Sequence, residues 1–199
     1  MKLYVTPGSP YARMARIVVL EKGLQERVEI IFAKTRTADS PYYRINPSGR
    51  VPYLIRDDGV GMEESALICA YLDRLEGRPV FEPDGDIWEA RRVEALARSL
   101  LDGLSVWLRE LYRPENERSP TVIRHEIARS ERLLDLWEQK EIQHPLMRGP
   151  LNIIQLTLAC ALGLEARNAD FRWRAGRPKL TAWFERIAAR PSWTATAPN

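Results

Sequence analysis

Three short segments carry side chains whose type and spacing could do chemistry. Ser9, in Thr6-Pro7-Gly8-Ser9-Pro10-Tyr11, follows a β-prone run and precedes a helical pattern. It therefore has the properties of an N-cap with proline at the first helical position. Capping alone accounts for it. The same placement also sets the hydroxyl beside free backbone N–H groups and the positive end of a helix dipole, which suits an anion or a thiolate. A hydrogen bond donated there to a bound sulfur lowers the thiol pKa, and a drop of two units from about 8.5 requires roughly 2.7 kcal/mol, within reach of that bond plus the dipole.

The second segment is Gly49-Arg50-Val51-Pro52-Tyr53-Leu54. Proline cannot donate to a sheet ladder, so Pro52 marks either a plain strand start or a bend with a cis peptide. In the second case the Val51 N–H and C=O turn outward, and an extended peptide can pair with them as an added strand. The third segment, Glu63-Glu64-Ser65-Ala66-Leu67-Ile68, opens another helical pattern. Ser65 is a good N-cap, and acidic residues just before a helix suit its dipole. The functional alternative has the Ser65 hydroxyl and adjacent N–H groups hold a ligand carboxylate while Glu64 pairs with an amino group.

These segments need elements to position them. Lys2–Val5 reads as a strand, and Pro10–Lys22 as a helix with Ala12, Ala15, Ile17, Val18 and Val19 at helical spacing, stopped by Gly23. Val28–Phe32 and Val51–Ile55 supply further strands, with a polar stretch holding Tyr42, Tyr43 and Asn46 between them. Asp57-Asp58-Gly59 is a hairpin-type turn before a short strand at Val60–Met62, and Glu64–Leu75 is helical. The order is βαβ, a small helix, a β-hairpin and a final helix. Two prolines and two glycines within 77–86 read as a linker. Beyond it the strand signal disappears, and helical patterns cover Trp88–Tyr112, Pro120–Lys140, Asn152–Ala166 and Lys179–Ala189. The expected organisation is an α/β domain over residues 1–77, a linker over 78–86 and an all-helical bundle over 87–199.

The 199 residues, 45% apolar and 29% charged, exclude disordered, collagen-like and disulfide-scaffold classes. A net charge of +3 and a pI near 9.0 raise the question of a nucleic-acid partner. Residues 1–80 hold 12 basic and 10 acidic side chains, however, so the excess is spread evenly and offers no phosphate-tracking stripe. Cys69 and Cys160 sit in apolar helical surroundings and read as buried small hydrophobes of a reducing compartment. His125 and His144 are isolated and show no metal-ligand spacing. With no signal-peptide core at the start and no apolar run near about 18 residues, the expectation is a cytoplasmic protein that does not span a membrane.

Ser9-Pro10-Tyr11 at the first helix, Arg50-Val51-Pro52-Tyr53-Leu54 at the third strand and Glu64-Ser65-Ala66-Leu67-Ile68 at the helix after the hairpin, ahead of an all-helical half, resemble the glutathione S-transferases. The resemblance spans essentially the whole chain, including Trp183-Phe184-Glu185-Arg186-Ile187 and Arg190-Pro191-Ser192-Trp193 near its end. It implies a thioredoxin-like first domain, glutathione as cosubstrate with no prosthetic group or metal, a small hydrophobic electrophile and a homodimer. By the same resemblance Ser9 contacts the glutathione sulfur, Val51 before a cis Pro52 pairs with the cysteinyl part, and Glu64 with Ser65 holds the γ-glutamyl group. Lys34 or its rival Arg36 reaches the glycyl carboxylate. Tyr4 and Tyr11 flank Ser9; Tyr4 is a rival thiol partner or a core residue, and Tyr11 a pocket wall. On the long helix, Ser105, Arg109 and Tyr112 would border the electrophile. Asp102 is either solvated or an acid offered to the partner subunit's glutathione. No cysteine opens the first helix, which disfavours disulfide exchange. Asn152 and Gln155 match the family's capping box with neutral partners, and Trp107 and Trp137 are assigned to core or interface. The implied reaction is conjugation of the glutathione thiolate. Glutathione-dependent isomerisation, dehalogenation or ether cleavage, and a non-catalytic scaffold, are the alternatives.

Overall fold

The structure, a computed structural model, describes residues 1–83 and 85–198. Asp84, inside the stretch read as a linker, lies outside the described residues. The chain falls into two compact units, Met1–Glu82 with Arg190–Asn199, and Pro83–Ala189.

In the first unit Lys2–Val5 (β1), Pro10–Glu21 (α1), Glu29–Phe32 (β2), a 3-10 turn over Pro41–Arg44, Tyr53–Ile55 (β3), Gly61–Glu63 (β4) and Ser65–Asp73 (α2) follow in the expected order. The sheet runs β2-β1-β3-β4. β1 is parallel to β2 and antiparallel to β3, and β4 is antiparallel to β3. This is a thioredoxin-like fold. As an inner strand covered on both faces, β1 buries Leu3, Tyr4 and Val5 in succession. Leu3 sits opposite Leu54 of β3, while the Tyr4 ring lies 5.6 Å from that of Tyr42 in the 3-10 turn. β3 begins at Tyr53 rather than Val51, since Pro52 lacks the N–H that a ladder requires. α1 and α2 pack on one another, and Ile17 and Val18 of the first and Ile68 and Leu72 of the second are buried.

The second unit is helical: Ile87–Leu111 (α3), Pro120–Gln139 (α4), Ile153–Leu162 (α5) and Pro178–Ala188 (α6). Asp86, Ser119 and Asn152 cap the first three through their side chains. α5 buries every residue from Ile154 to Leu162, as a helix apolar all round must, and α3 packs against it and against α4. α3 and α4 meet closely at Gly103, where a Cβ would stand 2.7 Å from Glu126 Oε2. α6 takes its cap from α4: Glu138 accepts from the Lys179 and Leu180 N–H groups at 3.1 and 2.8 Å. The expected capping box at α5 holds only in its first half. Asn152 accepts from the Ile154 and Gln155 N–H groups, but the Gln155 amide turns to the Leu146 and Pro150 carbonyls at 3.0 and 3.1 Å, tying down the loop before the helix. Trp107 and Trp137 are buried. Among the described residues, no helix is long and apolar enough to cross a membrane.

The structure differs from a helical unit over 87–199 at its end. Pro191–Ala195 (α7) joins the first unit by packing on α1. The buried Arg13 guanidinium lies 3.5 Å from the centre of the Trp193 ring and donates to the Trp193 carbonyl at 2.8 Å. Glu21 accepts two bonds from Arg190, at 2.6 and 2.9 Å, and one from Ser192. The hydrogen bond from Arg190, partly opposed by burial, holds the Glu21 carboxyl below its usual range. A depressed folded-state pKa contributes stability above the unfolded pKa and loses it as pH falls through the folded value. Glu21→Gln should therefore cost about 1 kcal/mol at pH 7, after allowing for solvent screening, with the difference vanishing under strong acid. Thermal melts of both proteins across pH check this; a pH-independent difference would contradict it.

Candidate functional site

The strand register gathers the chemistry-bearing segments at one end of the sheet. Val5 ends β1 opposite Phe32, the last residue of β2; Tyr53, the first residue of β3, faces both Tyr4 and Glu63, the last residue of β4. The loops leaving this end carry Ser9, Lys34 and Arg36, Val51 with Pro52, and Glu64 with Ser65. All lie in the first unit.

Ser9 is the N-cap of α1. Its extended backbone (φ −79°, ψ 118°) lets Oγ accept from the Ala12 N–H at 3.1 Å, and Pro10 occupies the first turn. The hydroxyl is half-buried. Capping uses one lone pair, so the hydroxyl proton stays available to an anion; the cap and the thiolate donor are compatible roles. The Val51–Pro52 peptide is cis. At α2 the expected cap is corrected. Glu64, not Ser65, is the N-cap: at φ +79° it folds its carboxylate onto the first turn, accepting from the Ala66 and Leu67 N–H groups at 2.9 and 3.1 Å. Ser65, buried as the first helical residue, reaches Glu64 Oε1 at 3.4 Å. A positive φ at a glutamate costs of order 1–3 kcal/mol, strain of the kind concentrated at ligand sites.

Lys34 and Arg36 are both exposed. The Lys34 carbonyl accepts from Ser40 Oγ at 2.6 Å, and Arg36 is left-handed at φ +58°. Tyr4 is buried against Tyr42, and Tyr11 is half-buried. In the second unit Ser105 and Arg109 lie one turn apart on α3, and Tyr112 is the residue that caps its C-terminal end. Ser105 is buried with no hydrogen bond to Oγ among the described residues; its carbonyl accepts from Arg109 Nε at 3.1 Å. Tyr112 is exposed, with the Arg167 guanidinium 5.3 Å from its ring centre. Asp102 lies exposed in a shallow groove with Ser99, Arg129 and Arg132. Among the described residues, no group of three or more His, Cys, Asp or Glu side chains is arranged to hold a metal ion.

Sequence reasoning passed over the loop that holds Val51. Tyr42 Oη and Asn46 Nδ2 both donate to the Arg50 carbonyl, and Ser48 Oγ donates to Glu63 at 2.6 Å. The readable signal was Asn46-Pro47-Ser48-Gly49, since Asn and Ser in turns commonly bond the backbone two residues on.

Residues 3–84 match the family model of the glutathione S-transferase N-terminal domain. Over its whole length the chain is 30% identical to the uncharacterized GST-like protein YibF of Escherichia coli K12, covering 98% of it. The chain belongs to the glutathione S-transferase family. A family member from Pseudomonas fluorescens Pf-5, solved with bound glutathione, superposes with a TM-score of 0.89 at 30% identity, covering 100% of this chain and 98% of that one. A glutathione S-transferase from Methylobacillus flagellatus KT, also with glutathione bound, gives 0.87 at 28% identity, covering 100% and 99%. The family model covers most of the thioredoxin-like unit of this transferase family member, whose sheet end carries Ser9, Val51 with Pro52, and Glu64 with Ser65.

Proposed function

We propose that the protein binds glutathione at the end of its sheet and conjugates the glutathione thiolate to a small hydrophobic electrophile. One observation carries the reading: the register brings the Ser9 cap, the cis Val51–Pro52 peptide and the strained Glu64–Ser65 helix start to the same sheet end. Full-length relatives with glutathione bound support it. Ser9 donates its hydroxyl proton to the thiolate, Val51 pairs with the cysteinyl backbone, and Glu64 with Ser65 takes the γ-glutamyl group. Lys34, or its equal rival Arg36, meets the glycyl carboxylate. The nucleophile belongs to the cosubstrate; the protein supplies position and electrostatic stabilisation. Tyr11, Ser105, Arg109 and Tyr112 are assigned to the electrophile, and the reading extends to a cytoplasmic homodimer with Asp102 facing the partner subunit's glutathione.

Calorimetric titration with glutathione tests the binding, and analysis of products tests the reaction. Saturable binding with a thioether product is expected. No binding at millimolar glutathione would favour a scaffold, and a product formed while glutathione is regenerated would favour an isomerase.

A further inference from the structure

Two enclosed side chains converge on a single carbonyl just before the cis bond. Tyr42 Oη donates to the Arg50 oxygen at 2.5 Å, and Asn46 Nδ2 donates to the same oxygen at 3.0 Å. The two residues are 4% and 3% exposed, so neither donor can turn to water without exposing the loop. Each is held in place from its other side. The Tyr42 ring packs on Tyr4 of β1, while Asn46 Oδ1 accepts from the Ser48 N–H at 3.1 Å. Ser48 Oγ in turn bonds Glu63 at the end of β4 and accepts from the Arg50 N–H at 3.2 Å. The loop is closed tightly at Gly49, where φ is +66° and a Cβ would stand 2.8 Å from the Tyr43 ring.

The Arg50 carbonyl and the Val51 N–H belong to one planar trans peptide unit and point in opposite directions. Holding the oxygen inward therefore aims the N–H outward. We propose that Tyr42 and Asn46 are positioning residues for glutathione: by fixing the Arg50 carbonyl they aim the Val51 N–H at the cysteinyl carbonyl of the ligand. The inference rests on the glutathione reading above, and it gives the buried polar residues of a loop outside the contact set a part in affinity.

The test compares Tyr42→Phe, which keeps the ring and removes the donor, with Asn46→Asp, which keeps the shape and replaces the donor by a second carboxylate beside Glu63. Glutathione Kd is measured by calorimetry and the KM-against-kcat split by steady-state kinetics. Each variant should raise Kd and KM for glutathione about 3- to 10-fold, with the loss falling on KM more than on kcat. A merely structural role would instead lower the melting temperature and the active fraction, leaving Kd of the folded protein in place. Values within about twofold of the parent in both variants would overturn the positioning role alone. A parent that does not bind glutathione would overturn the glutathione reading, and this inference with it.

Discussion

Ser9→Ala is expected to slow conjugation of a general electrophile about 10- to 150-fold at neutral pH. The Ser9 oxygen accepts from the Ala12 N–H at 3.1 Å, which orients the hydroxyl without consuming its proton. Removing one hydrogen bond to a charged partner costs about 1.5–3 kcal/mol, and that range converts to the stated loss in rate. The bound thiol should titrate about one to two units higher, so the rise of kcat/KM with pH moves to more alkaline values. Loss of the cap also destabilises α1, by about 1 kcal/mol for alanine but only a few tenths for glycine. Ser9→Gly therefore separates the two roles: it should be nearly as slow as Ser9→Ala while melting closer to the parent. An alanine variant with the parental rate and thiol pKa would leave Ser9 a cap alone and move the thiol contact to Tyr4.

What could be read in advance followed from local patterns. Lys2–Val5 and Pro10–Glu21 declare themselves by apolar runs bounded by Thr6-Pro7-Gly8 and by Gly23, and the helices of the second half by their periodicity and caps. The site segments were legible because each sits at an element end, where a Ser, Pro or Glu has a specific backbone task. The missed features depend on distant partners. Nothing near Glu64 announces that it, and not Ser65, would turn to φ +79° and cap α2. Gln155 has the right offset for a reciprocal cap, yet its Nε2 donates to the Leu146 and Pro150 carbonyls, which orients the amide toward the preceding loop rather than the Asn152 N–H. The return of Arg190–Asn199 to the first unit joins Arg13 to Trp193 and Glu21 to Arg190 across 180 and 169 positions of chain. Composition and periodicity carry no trace of such pairings.

Asp73→Ala should be the most destabilising single substitution considered for the first unit. The Asp73 carboxylate is 1% exposed at the last residue of α2. It accepts from the Val80 N–H at 3.0 and 3.1 Å and from the Phe81 N–H at 2.9 Å, and it pairs with Lys22 Nζ at 3.3 Å. Lys22 follows α1, is itself nearly enclosed and donates to the Arg78 carbonyl at 3.0 Å. One carboxylate thus fastens the ends of both helices to the stretch Arg78–Phe81, and with them the helix whose first residues are Glu64 and Ser65. Alanine leaves a nearly enclosed ammonium unneutralised and removes the acceptor of the buried Phe81 N–H and of the part-buried Val80 N–H, a loss of about 3–5 kcal/mol. For a chain of this size that lowers the melting temperature by about 6–20 °C. Lys22→Met should cost less, because the carboxylate keeps its backbone donors. The double variant should recover part of the sum, since the stranded charge is gone. Additive losses would mean that Lys22 and Asp73 do not act as a pair; a melting temperature within about 2 °C of the parent for Asp73→Ala would remove the carboxylate from any part in holding α2.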